Sequence, residues 1–302
     1  MDVVVFGAGS LGSLIGGLLA CEHDVTLVGR APHVDAIEAD GLRVSGAVER
    51  HVYPAAVTDV TDVGERRADL AVVTVKAYDT ESAAESLARC DLGVTLSLQN
   101  GMGNEATLAD TLDCPVLAGT TDYGARYREP GVVECTGVGE VVLGPRPGGG
   151  TVDSDPATDV GDAFRASGIE TRVEADMRPH LWEKLAVNAG INPVTALARI
   201  ENGALVDGPA GPIAERAAVE VAGVARAAGV DLPDRKAREA VGRVASATAA
   251  NRSSMLQDVE AGRRTEIDAI AGYVVERTDG LVPVNETLAA LLRGWESARG
   301  LR

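Results

Sequence analysis

The segment Trp182-Glu-Lys184-Leu-Ala-Val-Asn188-Ala-Gly-Ile-Asn192-Pro holds the residue types and spacing most able to do chemistry. Lys184, Asn188 and Asn192 recur at i, i+4 and i+8, which sets them along one face of a helix. Their neighbours Leu185, Ala186, Val187, Ala189 and Ile191 are apolar, so this polar stripe should be partly buried. Buried amides need partners, and a ligand carrying a carboxylate and a hydroxyl would supply them. A lysine desolvated beside them could have a lowered pKa and act as a general acid near neutrality. The same stripe could instead be an interhelical hydrogen-bond ladder that satisfies itself.

A second constellation lies at the N-terminus. Gly7-Ala8-Gly9-Ser10-Leu11-Gly12 fits G-x-G-x-x-G. With 35 glycines in 302 residues, that spacing arises by chance roughly 0.5 times in such a chain, so context must decide. Here the run follows a strand (Val3–Phe6), opens a helix (Leu11–Ala20) and precedes another strand (Asp24–Val28) at the spacing of a βαβ unit. Gly7 would permit a tight turn, Gly9 a close approach of backbone to a pyrophosphate, and Gly12 tight packing of helix on strand. The alternative is an ordinary strand–helix turn. The second strand ends in Gly29-Arg30, where an acidic residue would be expected to read an NAD ribose. Arginine clamps a 2′-phosphate and cannot accept from a 2′-hydroxyl, so NADP(H) is favoured unless Arg30 is merely solvated.

The elements around these sites fall into two halves. Strands Leu70–Val75, Val94–Leu98 and Val116–Ala118 alternate with helical stretches Thr80–Arg89 and Gly103–Leu112, which predicts a parallel sheet covered on both faces. Val132–Cys135 and Glu140–Leu143 are closely spaced and read as antiparallel additions to its edge. Pro145–Asp155 reads as a loop, followed by a helix at Pro156–Ala166 and a strand at Ile169–Val173. From Asp176 the strands stop. That residue suits an N-cap, Pro179 a first turn, and apolar residues recur at helical spacing through Leu197. Pro212–Ala228, Arg235–Ala250 and Thr265–Arg277 read as further helices. The expected architecture is an α/β Rossmann-type dinucleotide-binding domain at 1–175 and an all-α substrate and catalytic domain at 176–302.

Composition narrows the function. There are 45 acidic against 28 basic residues, a formal charge of −17, and only three of the basic residues are lysines. Such a chain lacks the basic stripe that nucleic acid requires. Carboxylate self-repulsion at low ionic strength points to a salt-rich cytoplasm, the alternative being an acidic protein of a GC-rich genome. No apolar run is long enough for a membrane span, and Met1–Ala20 lacks the basic start of a signal peptide. Cys21, Cys90, Cys114 and Cys135 form no C-x-x-C pair, so no metal site is expected. They read as buried small hydrophobes in a reducing cytoplasm.

Beyond the glycine run, ordered motifs recur along the chain. They are Val75-Lys76, Leu98-Gln-Asn100-Gly-Met-Gly103, Gly119-Thr-Thr, Lys184–Pro193, Asn202-Gly203, Arg252-Ser-Ser254-Met-Leu-Gln-Asp258 and Arg264-Thr-Glu266-Ile-Asp268. With these the chain resembles the ketopantoate reductase (2-dehydropantoate 2-reductase) family from end to end. The resemblance implies NADPH-dependent reduction of 2-dehydropantoate to (R)-pantoate, a step toward pantothenate and coenzyme A. It implies that Lys184 donates the proton and that Asn188, Asn192, Asn202, Asn251 and Ser254 hold the substrate. Glu266 would lie near the ribose and the lysine. Lys76, Asn100 and the Gly124 loop would take cofactor and active-site positions; the first two sit at strand ends, where open α/β sheets bind ligands. Ser254-x-x-Gln257 independently reads as a capping box that could aim a helix N-terminus at the substrate carboxylate. The expected partner is a small 2-oxo acid in a cleft between the domains, and a homodimer is one possible assembly. The rival readings are a reductase of another branched 2-oxo acid and a regulator that senses NADP(H) without turnover.

Overall fold

The computed structural model describes residues 1–63, 67–149 and 156–302. The expected loop at Pro145–Asp155 therefore lies partly outside the described residues. The chain divides into two compact units, Met1–Gln99 with Gly103–Met177, and Asn100–Met102 with Arg178–Arg302.

In the first unit the chain runs β1 (Asp2–Phe6), α1 (Ser10–Leu19), β2 (Asp24–Val28), α2 (Ala31–Asp40), β3 (Leu42–Gly46), β4 (Arg50–Val52), β5 (Ala55–Val57) and β6 (Ala68–Val73). It continues through α3 (Thr80–Leu87), β7 (Leu92–Ser97), α4 (Asn104–Thr111), β8 (Val116–Thr121), β9 (Gly124–Glu129), β10 (Val132–Gly137), β11 (Val141–Pro145), α5 (Pro156–Ala166) and β12 (Thr171–Val173). Among the described residues the main sheet has the order β12-β11-β8-β7-β6-β1-β2-β5, parallel except where β11 meets β8. The alternation of each strand feeds two cores. Val3, Val5, Leu70 and Val72 pack on one face, and Val4, Ala71 and Val73 on the other.

Connections leave β1 toward β2 on one side, whereas β6 and β7 extend the sheet on the other, so the order reverses beside β1. The crevice at such a reversal is where open α/β sheets take ligands. Register brings the right residues there. Phe6 lies opposite both Val28 and Val73, so Gly7, Gly29-Arg30 and Thr74–Lys76 leave the sheet side by side.

One expectation fails here. Val132–Cys135 does not extend the main sheet; as β10 it pairs with β9 and β3 in a second sheet of order β4-β3-β10-β9. Only β11 joins the main sheet antiparallel. Helix α2 and strands β3–β5 had no counterpart in the sequence reading, because the strands are short and only half-apolar. Pro32 in the first turn of α2 was the available start signal.

The second unit contains α6 (Arg178–Ala198), α7 (Gly211–Ala227), α8 (Asp234–Ala247), α9 (Ser254–Glu260), α10 (Tyr273–Glu276) and α11 (Pro283–Ser297) around one alanine-rich core. Small residues let the helices approach closely: a Cβ on Gly190 of α6 would stand 2.8 Å from the Ala214 carbonyl oxygen of α7. The helix expected at Thr265–Arg277 is instead a π-helical turn at Asp268–Gly272 running into the short α10. No helix among the described residues is long and apolar enough to cross a membrane.

Candidate active site

The glycine-rich turn is built as its sequence demands. Gly7 has φ +110°, and a Cβ there would stand 2.7 Å from the Val75 nitrogen, so only glycine fits. Ala8 is buried, its N–H given to the Val28 carbonyl at 2.8 Å. Gly12 seats α1 against the Gly7 carbonyl and Thr74. Gly9 is exposed, a Cβ there would meet only the Gly7 carbonyl oxygen, at 3.9 Å, and it begins α1 with no side-chain cap. A helix N-terminus without a side-chain cap fits a pyrophosphate.

Ser10 Oγ accepts from the Tyr127 N–H at 3.0 Å, and Leu11 packs half-buried on the sheet core. Arg30 is exposed at the N-cap of α2, free to reach a 2′-phosphate. Lys76 is half-buried before a 3-10 turn, and Gln99 braces that loop by donating to the Val75 carbonyl (3.1 Å) and to Thr80 Oγ1 (2.8 Å). Gly124 opens β9 against Thr136, a packing that itself calls for glycine.

The second unit gathers the other candidates. Asn188 and Asn192 are each 7% exposed on α6, and Lys184 is half-buried a turn before them. Asn100 belongs to this unit, and its Oδ1 accepts from Asn188 Nδ2 at 3.3 Å. Asn202 is buried in a 3-10 turn; its Nδ2 donates to Thr248 Oγ1 at 2.9 Å, and its N–H to the Asn251 carbonyl at 3.0 Å. Among the described residues Asn202 Oδ1 is a buried acceptor with no donor. Such an atom calls for a ligand hydroxyl or a water.

Ser254 begins α9, but the cap differs from the expected one. Ser253 is the N-cap, accepting from the Leu256 N–H at 3.1 Å, and Gln257 donates to the Arg252 carbonyl rather than closing a capping box. Ser253 Oγ also bonds Thr195 Oγ1 at 2.8 Å, tying α9 to α6. With its neighbour holding the cap, Ser254 is half-exposed and not spent on capping.

Glu266 is buried, and Thr265 just before it is fixed by a partner that the sequence does not reveal. Glu296 of α11, fully buried, accepts from the Thr265 N–H (2.8 Å) and hydroxyl (2.6 Å) and from Arg302 (2.7 Å). Arg302 in turn reaches Asp268, which also takes Arg293 and Arg264. Burial would raise the Asp268 carboxyl, but bonds from Arg293 and Arg302 outweigh it and hold the group below the ordinary aspartate range. A depressed carboxylate contributes stability above its unfolded pKa and loses it as pH falls through the folded value. Asp268→Asn should therefore lower the melting temperature at neutral pH, and the gap from wild type should shrink on acidification below the aspartate range. A gap constant with pH would contradict this.

The cysteines correct another expectation. Only Cys135 is buried, Cys90 and Cys114 are intermediate, and Cys21 is exposed just after α1. Burial raises the Cys90, Cys114 and Cys135 thiols, which disfavours thiolate chemistry.

Comparison with known proteins follows the same division. Residues 3–148 match the family described as "Ketopantoate reductase PanE/ApbA", and residues 176–296 match "Ketopantoate reductase PanE/ApbA C terminal". The 2-dehydropantoate 2-reductase of Halobacterium salinarum is 47% identical over 303 residues, covering 97% of this chain and 98% of its own. That of Archaeoglobus fulgidus is 40% identical over 300 residues, 98% of each chain. The solved PanE/ApbA family ketopantoate reductase from Ralstonia eutropha JMP134 is similar with a TM-score of 0.88 at 35% identity, over 99% of this chain and all of its own. With both family segments matched in order and relatives alike over nearly the full length, the chain belongs to the ketopantoate reductase family.

Proposed function

We propose that the protein reduces 2-dehydropantoate to (R)-pantoate with NADPH, a step toward pantothenate and coenzyme A. The observation that carries the reading is the polar face of α6, where Asn188 and Asn192 lie buried beyond Lys184 and Asn100 docks against Asn188. When bound, NADPH would supply the hydride that the C2 carbonyl carbon takes. Lys184 then gives a proton from Nζ to the carbonyl oxygen, which becomes the new hydroxyl, and regains one from solvent. Asn188, Asn192 and Asn251 orient the substrate. Asn202 Oδ1, lacking a donor, accepts from the substrate's own hydroxyl. Ser254 holds the carboxylate at the N-terminus of α9, and Glu266, next to the anchored Thr265, holds the lysine and the cofactor ribose.

In the first unit Gly7 to Gly12 cradle the pyrophosphate, Arg30 reads the 2′-phosphate, and Lys76 and the Gly124 loop complete the cofactor contacts. Arg30→Asp should raise the KM for NADPH by about tenfold or more and leave that for NADH less affected. If unaltered protein prefers NADH by kcat/KM, the role given to Arg30 is wrong.

The net charge of −17 supports a place in a salt-rich cytoplasm. With −17 to screen, the melting temperature should rise between low salt and molar KCl. A melting temperature unchanged or lowered by salt removes that placement. The function itself is tested by incubating purified protein with NADPH and 2-dehydropantoate. Equimolar loss of both, with (R)-pantoate as the single enantiomer formed, is expected. No nucleotide oxidation, or a racemic product, overturns the reading.

A further inference from the structure

His33 is a polar side chain in the first unit that the mechanism does not use, and its surroundings are unusual. It is 3% exposed, in the first turn of α2, three residues beyond Arg30. Its Nδ1 lies 2.9 Å from the Gly131 N–H, in the turn between β9 and β10. A backbone N–H can only donate, so Nδ1 is the bare nitrogen and the ring proton sits on Nε2. Nε2–H therefore donates to Ser13 Oγ, 2.8 Å away on α1. The ring also meets Tyr127 edge-on at 5.1 Å, and the Tyr127 N–H is the one held by Ser10. Burial lowers the pKa of His33, in keeping with a ring that stays neutral.

These bonds make a continuous path between the two phosphate-reading points. Ser13 N–H donates to the Gly9 carbonyl at 3.0 Å, and the His33 N–H donates to the Arg30 carbonyl at 2.9 Å. From Gly9, then, three hydrogen bonds lead through Ser13 and His33 to Arg30. The path crosses from α1 to α2 through the imidazole alone. The outer end of the ring is pinned to the β9–β10 turn, where Gly131 has φ +76° and so needs glycine.

We propose that His33 is a positioning residue for nucleotide selectivity, setting the reach of Arg30 relative to Gly9 so that a 2′-phosphate and a pyrophosphate are met together. The inference rests on the NADPH reading above. It predicts that the imidazole affects discrimination between nucleotides, beyond its effect on stability. A neutral ring with one donor and one acceptor does this at a fixed distance. An apolar side chain would leave the Gly131 N–H unsatisfied and the start of α2 free to shift.

The test uses binding alone, by calorimetry with 2′,5′-ADP and with 5′-AMP, which differ only by the 2′-phosphate that Arg30 would read. Wild type should prefer 2′,5′-ADP; if it does not, the NADPH reading has failed and His33 is not at issue. Given that preference, His33→Phe should reduce the ratio of the two dissociation constants by about tenfold. His33→Gln, able to donate and accept, should return it to within about threefold of wild type. Ser13→Ala removes one bond of the path with little risk to folding and should lower the ratio in the same direction, by about threefold. A folded His33→Phe or Ser13→Ala protein with a lower melting temperature and an unchanged ratio overturns the proposal, because a merely structural residue would behave that way.

Discussion

Lys184→Ala should cut kcat for 2-dehydropantoate by at least about 10²-fold, the lower end of what a positioned general acid contributes. Hydride arriving at C2 leaves negative charge on oxygen, and without a proton donor that charge must be met by water. Water is disfavoured at this place, because Lys184 stands half-buried beside Leu185 and Val187, with buried Asn188 one turn on. NADPH binding should stay near normal, since the glycine-rich turn, Arg30 and Lys76 belong to the other compact unit. The combination is diagnostic. A folded Lys184→Ala protein that binds NADPH and turns over at the wild-type kcat would exclude the lysine as proton donor.

Gly101→Ala should damage both stability and turnover. Gly101 has φ +84°, and a Cβ there would stand 2.5 Å from the Ala269 Cβ and 2.7 Å from its carbonyl oxygen. The left-handed backbone costs an alanine roughly 1–2 kcal/mol. Forcing the methyl against the π-helical turn adds roughly 1–3 kcal/mol. Relief comes only by moving the Asn100–Met102 turn, which breaks the bond from the Met102 N–H to the Ala269 carbonyl (3.1 Å) and draws Asn100 away from Asn188. Misplacement on an ångström scale can cost on the order of 10²-fold in rate, so kcat/KM should fall by that order along with the melting temperature. Gly168→Ala is the control. It has φ +75° but nothing within 4 Å of the added carbon, so it should show the backbone cost and keep full activity. Normal activity in Gly101→Ala would mean that Asn100 is not held where the reaction needs it.

Much of this was open to reading from residue types alone because local signals and tertiary packing agree. The glycine run was legible since each glycine meets a different steric demand, and the stripe on α6 since helical spacing puts Lys184, Asn188 and Asn192 on one face. The polar supports were not legible. Glu296 lies 31 residues from Thr265, and nothing in the sequence around either announces the other. The α9 cap was misread by one residue because Ser253 and Ser254 are both able to cap. Which serine holds the Leu256 N–H is settled by Thr195 on α6, which bonds Ser253. The second sheet was missed for a related reason: β10 pairs with β3, about ninety residues earlier, and β-pairing at that distance leaves no periodicity to read.

The most direct measurement of the central claim is kcat/KM for a panel of 2-oxo acids, each with NADPH and with NADH. 2-Dehydropantoate with NADPH should give the highest value, ahead of branched 2-oxo acids that lack its hydroxyl, the group given to Asn202. A higher kcat/KM for one of those acids would contradict the substrate assignment, and nucleotide binding without turnover of any acid would contradict catalysis itself.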